Sequence, residues 1–491
     1  MEASVSLGQR SMHMRHDIGL KLTVVLIGFA VSLAAAADPT SDTFQPDFFG
    51  TASELKQQTP ELTDPLGREC ASPAGTLSLA AAVDLALCRN PATRSAWATA
   101  RQQAAALGSA ESALLPSVGV TGGESRYYGA HVDVTGAIDS NPQNTSDAVL
   151  SLSWTLYDFG ARGGRISSAR HLLDAAAATA NSVSQQTVLN VVQSYYGVIA
   201  ADASLNAANT TEAASARSLE VARTLSEGGA GTLADVLQAE TAYDQALLTR
   251  VQLAATTKSA RGTLAVTLGL PADQTLTLEA QSVPDDVPAL TARISDLMSE
   301  AMRQRPDLAA ALAQRDAAEA NITVARAAGR PSISISAGRD LIDTSGIPRQ
   351  NYSLVGLNIT VPIFTGFNVA YGVRQAQAQL EASEANADQA RLAVSLGVWN
   401  AYYSLDSANQ QLAVTSGLIK TAEQNNDVAL GRYKAGVGTI VDVLTAQAAA
   451  ALARQTRINS ELAWQVARTQ LALALGRLSG VAPNSVDPAL P

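Results

Sequence analysis

Residue types that usually carry catalysis or bind metals are scarce in this chain of 491 residues, and they are scattered. Its four histidines are His13, His16, His131 and His171. The sequence contains neither an HExxH motif nor a nucleophile elbow, and no Lys-Ser/Thr pair follows the glycines near residue 229 to make a phosphate-binding loop. We therefore predict that the protein is not an enzyme and holds neither a metal nor a cofactor.

Cys70 and Cys88 are the only cysteines, and their chemistry has three interpretations. In an exported protein a disulfide is plausible, and a loop of this length would stabilise the fold by roughly 3 kcal/mol. The alternative is two unpaired thiols in an extended entry segment. Metal ligation is the poorest interpretation, because the spacing is wrong and no histidine lies nearby. The pair is therefore a disulfide candidate.

The composition indicates which elements must position any functional residue. Apolar residues make up 47% of the chain and aromatic residues only 4%, and many of the apolar residues are alanines. This balance predicts long helices whose backbones approach closely. The net charge of -10 argues against nucleic acid as a partner.

The N-terminal residues have the order of a secretory signal peptide. Arg10, Arg15 and Lys21 precede an apolar run over 22–33, and four alanines follow at 34–37. We predict a signal peptide over 1–37, followed by an extended segment over 38–74. No later stretch is typical of a membrane helix, so a membrane-spanning part would have to be closed β-structure.

An internal repeat organises the rest of the chain. The glycines and acidic residue of one segment recur 207 positions later, so that Gly229, Gly231 and Asp235 match Gly436, Gly438 and Asp442. The earlier prolines Pro116 and Pro331 are 215 positions apart, which places a loop-length difference between Pro116 and Gly160. These offsets predict two copies of one unit, over 75–283 and 284–480, with a short tail over 481–491.

Each copy contains a stretch of residues that alternate between apolar and polar. The alternation predicts β-hairpins over 117–158 and 332–364, each with one apolar face and one face of Ser, Thr, Asn and Gly. The strands are about ten residues long, which suffices to cross a bilayer when tilted. Four strands cannot close a barrel, so several chains must share one wall; two would give eight strands and three would give twelve.

Long helical hairpins follow each β-hairpin. Proline-free helical patterns run over about 166–227 and 373–434, and each would extend ~90 Å. Glycines end both patterns, and return helices follow. The sequence therefore predicts antiparallel helical hairpins over 166–269 and 373–476 that pack in the manner of coiled coils.

This ordered set of elements resembles the TolC-like family of outer membrane efflux and secretion channels. The resemblance rests on the run YKAGVGTIVDVL at 433–444, on the matching segment of the first copy at 229–237 and on the prolines before the strands. It implies a fold that is mainly α with a membrane β-barrel, in which a homotrimer forms a 12-stranded barrel and a long periplasmic α-helical barrel.

The resemblance also implies the function and the partners. The chain would be a passive duct of a tripartite export system, carrying drugs, small toxic molecules or secreted polypeptides across the outer membrane. Its partners would be outer membrane lipid, a periplasmic adaptor (membrane fusion) protein and an inner-membrane pump or ABC exporter. The alternative is a structural periplasmic coiled coil with a small β-anchor, such as an adhesin stalk, which would not conduct ions.

Residue by residue, the resemblance implies a constriction at the periplasmic tip. Asp442 matches an acidic ring position, while the second acidic position of the family falls on Thr445. Tyr433 matches a tyrosine that bonds the acid of the neighbouring hairpin, here Asp235. The gating arginine position falls on Gly438, so this part of the latch is absent. The glycines that mark the tip turns are Gly229, Gly231, Gly436 and Gly438.

These tip residues also have simpler interpretations. Asp235 and Asp442 each follow a glycine turn, where an acidic side chain favours a helix N-terminus by charge–dipole attraction. Helix capping alone explains an aspartate at position 235 just as readily as a latch does. Tyr433 can equally be a packed aromatic side chain at a helix end.

Overall fold

A computed structural model describes residues 75–132, 136–140, 142–279 and 292–478. The predicted signal peptide, the extended segment with Cys70 and the predicted tail lie outside the described residues, so the Cys70–Cys88 disulfide stays a prediction. The described helices are α1 Leu79–Arg89, α2 Pro91–Ser112, α3 Ala161–Glu227, α4 Leu233–Thr267, α5 Ile294–Gln304, α6 Pro306–Ala327, α7 Asn368–Lys434 and α8 Ile440–Ala474. The described strands are β1 Thr76–Leu77, β2 Ser117–Tyr127, β3 His131–Val132, β4 Ile138–Asp139, β5 Gln143–Tyr157, β6 Thr277–Leu278, β7 Ser332–Thr344 and β8 Gln350–Thr360.

The duplication is visible in the lengths of the helices. α1 to α4 contain 11, 22, 67 and 35 residues, and α5 to α8 contain the same numbers in the same order. At 1.5 Å per residue, each longest helix extends ~100 Å. Proline stands at the first position of α2 and of α6, where its missing N–H costs nothing.

The long helices begin five residues earlier than the sequence predicts. The expected starts were residues 166 and 373, whereas α3 begins at Ala161 and α7 at Asn368.

A glycine in the first turn of α3 allows close packing against a neighbouring helix. A Cβ at Gly164 would lie 2.9 Å from Cγ2 of Val324 on α6, so glycine lets the two helices approach.

The four long strands form one antiparallel sheet in the order β2-β5-β7-β8. The register aligns Val118 with Leu152, Leu152 with Ala337, and Ala337 with Val355, so these four residues share one face. Serine, threonine, asparagine and glycine occupy most of the opposite face. The strands extend into the predicted loops. A small β3–β4 ladder was not predicted, because strands of two residues are too short to show a period-two pattern.

The helices form one layer, in which α3 and α7 have different neighbours near the sheet and at the opposite end. α3 and α7 run the full length; α2 packs on α3, and α6 packs between α3 and α7 on the side of the sheet. On the far side the order is α4, α3, α8 and α7. Among the described residues, no helix contains a stretch that is both long and apolar enough to cross a membrane.

A short two-stranded sheet packs beside the middle of α3. The hydroxyl of Tyr195 donates to the backbone oxygens of Leu77 (3.0 Å) and Glu279 (3.2 Å), which fixes α3 to the short β1–β6 sheet. Burial raises the pKa of Tyr195 to about 12. Gly269 and Gly476 end the return helices with the same φ of 75°, and a Cβ at either would clash with a neighbouring backbone.

Candidate functional site

The turn between α3 and α4 is built from backbone hydrogen bonds and one left-handed glycine. Gly229 has a φ of 73°, which glycine adopts without steric cost. The amides of Ala230 and Gly231 both donate to the carbonyl of Leu225, at 2.8 and 2.9 Å. This pattern satisfies carbonyls at the end of α3 and fixes the reversal of the chain.

The turn between α7 and α8 repeats this geometry. Gly436 also has a φ of 73°, and the amide of Val437 donates to the carbonyl of Arg432 at 3.0 Å. A Cβ at Gly438 would lie 3.2 Å from Cβ of Arg432 and 3.3 Å from the amide nitrogen of Tyr433. Glycine at position 438 is thus part of the turn, and an arginine there would need the end of α7 to shift.

Both return helices begin with a capping box. Thr232 and Asp235 exchange hydrogen bonds at the start of α4, at 3.1 and 3.2 Å. Thr439 and Asp442 do the same at the start of α8, at 3.0 and 3.2 Å. Both carboxylates therefore satisfy helix N–H groups, which supports the simpler interpretation of the two acids.

Asp442 differs from Asp235 in its electrostatic surroundings. The backbone N–H and then the hydroxyl of Thr439 (2.9 Å) hold its pKa below the ordinary value, and the nearby Arg432 contributes in the same direction. Asp442 and Thr445 are both exposed on α8, one turn apart, while Val443 between them is buried. The helix therefore presents both predicted ring positions on one accessible face.

Tyr433 does not make the predicted bond to Asp235. The residue is only 5% exposed, and its hydroxyl has no hydrogen-bond partner among the described residues. Burial raises the pKa of Tyr433, and the negative charge of Asp235 raises it further, so the two side chains are neighbours. The expectation of a bonded pair is wrong for this conformation, because the Asp235 carboxylate turns to its own helix N-terminus instead.

An apolar cluster joins the two hairpins beside their turns. It is formed by the buried residues Leu219, Ala222, Ala239, Ala429, Tyr433, Ile440, Val443 and Ala446. Tyr433 is its largest member, so the ring of Tyr433 packs where the two hairpins meet. The packed-aromatic interpretation of this residue therefore agrees with its surroundings.

A polar seam between α3 and α8 lies above that cluster. Nε2 of Gln447 donates to the hydroxyl of Ser218 at 2.6 Å, and both residues are buried. Nε2 of Gln455 donates to the hydroxyl of Ser204 at 3.1 Å. Sequence reasoning did not identify this seam, although a glutamine within the apolar stripe of α8 was the signal that could have revealed Gln447.

An acidic groove lies beside the first turn, between α3 and α4. It has a volume of about 500 Å³, and its charged lining consists of Glu220, Arg223, Glu227, Glu240 and Asp244. Arg223 pairs with Glu240 at 3.2 Å, which leaves the groove with an excess of carboxylates. Across the described ranges, no group of three or more His, Cys, Asp or Glu side chains has the arrangement to hold a metal ion.

Comparison with known proteins decides the family. A family model described as "Outer membrane efflux protein" matches residues 82–270 and 297–477 of this chain. Protein CyaE of Bordetella pertussis is 30% identical over 407 residues, which are 82% of this chain and 84% of that protein. The chain belongs to the outer membrane efflux protein family.

Other comparisons agree with membership of the outer membrane efflux protein family. Outer membrane protein TolC of Escherichia coli strain K12 is 25% identical over 410 residues, or 79% of this chain and 80% of TolC. The structure of the outer-membrane channel OprN aligns with a TM-score of 0.71 at 22% identity, covering 84% of this chain and 95% of OprN. At that identity the likeness shows the fold alone.

Membership in the outer membrane efflux protein family confirms the predicted fold class, location and general function. The chain is an export channel of the outer membrane, with its long helices in the periplasm. Members of this family are channels and not enzymes. The alternative of a structural stalk without a conducting lumen is therefore not favoured.

Proposed function

We propose that three copies of this chain form one passive duct from the periplasmic tip to the cell exterior. The observation that carries the proposal is the sheet: within the described residues its outer strands β2 and β8 each have one unpaired edge. An open edge is not tolerated in lipid. Three four-stranded sheets joined edge to edge give twelve strands, and the exposed apolar face then contacts lipid.

Helices on the two sides of the helical layer support the same assembly. On the far side α4 and α7 are the outermost helices, and both carry exposed apolar side chains there, such as Leu248, Val251, Leu418 and Val428. Apolar side chains along an unpaired helix face are typical of a protein–protein contact. In the proposed trimer, α7 of one copy packs on α4 of the next and closes the helical wall.

The periplasmic end is the proposed docking surface for an adaptor protein. The two glycine turns, built around Gly229 and Gly436, form the tip, and the acidic groove between α3 and α4 lies beside the first of them. An adaptor with a basic helical tip would complement this groove. The energy for export is supplied by an inner-membrane pump or ABC exporter, and the cargo is a small toxic molecule, a drug or a polypeptide.

Asp442 is the proposed charge of the constriction. Three copies would present three exposed Asp442 carboxylates around one axis, a ring that favours cations over anions. The neutral Thr445 one turn further on gives a single acidic ring. We propose no latch hydrogen bond for Tyr433. Because glycine occupies position 438, the chain also lacks the gating arginine of the family.

Planar-bilayer recording of the purified protein tests both the assembly and the assignment. The native chain should conduct, and its mass in detergent should be that of three copies. Asp442→Asn should lower cation selectivity, while Asp235→Asn, which removes the matching capping carboxylate from the first copy, should leave selectivity unchanged. Sealed bilayers and a monomeric mass would refute the duct, and equal selectivity in both variants would remove the assignment of Asp442.

A further inference from the structure

One arginine interrupts the apolar face of the sheet. In the register of the strands, Arg339 lies in one row with Val120, Leu150 and Ser353. It follows Ala337 by two residues, so both side chains point to the same face. Arg339 is exposed, and its side chain makes neither an ion pair nor a hydrogen bond with any of the described residues. The apolar face therefore carries a positive charge that the described part of the chain does not neutralise.

Arg339 lies inside the outer end of the sheet and not at its rim. The long helices are periplasmic, so the opposite end of the sheet, where β7 turns into β8, faces the cell exterior. On the apolar face of β7 the next residues outward are Leu341 and then Asp343. Asp343 pairs with Arg349 at 2.8 Å, and both are exposed. Arg339 is thus two rows, or ~14 Å along the strand, inside a charged rim.

An arginine at this depth needs an anion. A lipid-facing cation is costly deep in a bilayer and costs little at the interface. The aliphatic part of the side chain can lie along apolar neighbours while the guanidinium turns toward the interface. Asp343 is the only acidic residue on this face of β7, and Arg349 already binds its carboxylate. The anion therefore has to come from another molecule.

Two polar side chains lie beside Arg339 on the neighbouring strand. Ser353 is opposite Arg339 on β8, and Asn351 is one row further outward, opposite Leu341. Both are exposed, and neither side chain has a hydrogen-bond partner within the described ranges. We call Arg339, Ser353 and Asn351 the outer polar patch. A guanidinium binds phosphate through two parallel hydrogen bonds, and a hydroxyl and an amide can donate to the remaining oxygens.

We infer that the outer polar patch binds the phosphate of a lipid in the outer leaflet, whose acyl chains lie along Val120, Leu150 and Val355. The inference rests on the proposed duct, because that assembly turns this face of the sheet toward lipid. Two features of one surface define the ligand class. Apolar rows fit acyl chains, and a cationic patch at their outer end fits phosphate. A phosphorylated glycolipid combines both parts.

The first copy of the repeat does not have this patch. With the offset of 215 that relates the prolines before the strands, the counterpart of Arg339 is Glu124, which lies two rows further outward. Arg126 is the other arginine of the four long strands and shares the apolar face, but it lies over the ring of Tyr128, 5.3 Å from its centroid. Glu124 and Arg126 therefore offer matched controls.

A neighbouring copy of the chain is the competing source of an anion. β8 is an outer strand of the sheet, and in the proposed trimer it pairs with β2 of the next copy, which carries Glu124. If that carboxylate neutralised Arg339, a neutral variant of either residue would weaken the trimer. Lipid is favoured because acyl chains cover the apolar rows below the patch and bring a headgroup to its level.

Binding of a defined lipid to the purified, full-length protein tests the outer polar patch. The probe is lipid A, compared with the same lipid A after removal of its phosphates. Native mass spectrometry in detergent follows bound lipid through a titration, and inorganic phosphate is added as a competitor. The test variants are Arg339→Gln and Arg339→Lys, and the matched controls are Glu124→Gln and Arg126→Gln.

The native protein and both controls should bind lipid A equally well. Arg339→Gln should weaken binding about tenfold through loss of a charge-assisted contact, and Arg339→Lys should recover part of it. Removal of the phosphates should weaken binding to the native protein by the same factor and leave Arg339→Gln unaffected. Unchanged binding in Arg339→Gln would overturn the assignment. So would an equal loss in Arg126→Gln, which would indicate attraction to net charge, or full displacement of lipid A by inorganic phosphate.

Bilayer recording and the mass of the same preparations separate this inference from the duct. Arg339→Gln should conduct like the native protein. Conducting channels whose lipid A binding does not depend on Arg339 disprove the outer polar patch alone, whereas sealed bilayers and a monomeric mass disprove the duct and the patch with it. Loss of trimers in both Arg339→Gln and Glu124→Gln, with lipid binding unchanged, would assign Arg339 to the neighbouring copy.

Discussion

The two hairpin turns and the two strand-to-helix junctions arose from the same duplication, but the turns match in side chains as well as in backbone, whereas the junctions match in backbone alone. Gly229 and Gly436 share one φ of 73°, and each turn continues into a threonine–aspartate capping box. The first junction, residues 155–162, and the second junction, residues 362–369, share positive φ values at the matching positions 159 and 160 and 366 and 367. The Arg162 guanidinium donates to the Asp158 carboxylate and to the carbonyls of Thr155 and Leu156, and this network has no counterpart in the second junction, since Val369 stands in its place.

The difference teaches where duplicated segments are free to diverge. A tight helix reversal is determined by the local backbone, so both copies need the same glycines and the same cap. A junction is determined by its surroundings. The Arg162 cation holds the first junction and is absent from the second, although both expose aromatic side chains, so the side-chain contacts could diverge while the backbone stayed the same. Variants at matched positions of the two copies test this contrast.

The largest effect is expected from Arg162→Ala. The variant removes a charged side chain that is only 12% exposed, takes away the ion pair with Asp158, and leaves the carbonyls of Thr155 and Leu156 without this donor. Hydrogen bonds to charged groups predict a loss of roughly 3 kcal/mol in the free energy of unfolding. Thermal unfolding in detergent, followed by circular dichroism, measures the loss.

The matched control is Val369→Ala in the second junction. It removes only two methyl groups that contact Gly329, so roughly 1 kcal/mol is expected. Equal losses in both variants would mean that the two junctions are held by comparable contacts, and the contrast between them would fail.

A smaller effect, equal in both copies, is expected at the turn glycines. Gly229→Ala and Gly436→Ala each force a Cβ into a left-handed backbone, at a cost of roughly 1–2 kcal/mol. Gly417→Ala is the control, because this glycine lies inside α7 with open space around it, and alanine there should stabilise the helix by roughly 1 kcal/mol. Unfolding midpoints of the three variants test the assignment. Unequal losses at 229 and 436 would show that the turns have diverged after all.

The same contrast explains how much could be predicted from the sequence. The glycine turns and the period-two strands are local patterns, and the pairing of residues 229–237 with 436–444 revealed the duplication. The Arg162 network depends on carbonyls from the end of β5 that only the folded junction brings together. The sequence alone does not distinguish Arg162 from Arg165, since both lie next to the glycines at 163 and 164.

The tip illustrates a second limit of sequence reasoning. The residue types at 235, 433 and 442 are compatible with a latch, but an aspartate three residues after a threonine is also a capping residue. Which bond forms depends on the rotamer, and the rotamer depends on packing around Tyr433. The seam formed by Gln447 and Ser218 was missed for a related reason, because its partners are 229 residues apart.

A still smaller effect is expected from removing one cap hydroxyl. Thr232→Ala and Thr439→Ala should each lower the free energy of unfolding by about 1 kcal/mol. Thr439→Ala should also change the pH dependence, because the Thr439 hydroxyl contributes to lowering the pKa of Asp442. A lowered carboxyl pKa contributes stability that is fully present at a pH above the ordinary pKa of about 3.9. That contribution is lost as the pH falls through the pKa of the folded state.

Thermal unfolding of the native protein and of Thr439→Ala between about pH 7 and about pH 3 measures that effect. The native protein should lose stability more steeply on acidification than Thr439→Ala. If Thr439→Ala retains the full acid slope, the Thr439 hydroxyl does not contribute to the lowered pKa of Asp442.

The smallest effect is expected from Tyr433→Phe, and it separates a packed aromatic from a latch. The Tyr433 hydroxyl is buried without a hydrogen-bond partner among the described residues, so its removal should leave the free energy of unfolding unchanged or raise it by up to about 1 kcal/mol. Tyr195→Phe is the control, because that hydroxyl has two acceptors and its loss should cost about 1–2 kcal/mol. Single-channel conductance of Tyr433→Phe should equal that of the native protein. A higher conductance would mean that the Tyr433 hydroxyl restrains the tip in the assembled channel. The two repeats of the chain would then differ at the turns, through Tyr433 and its counterpart Ser226, as well as at the junctions.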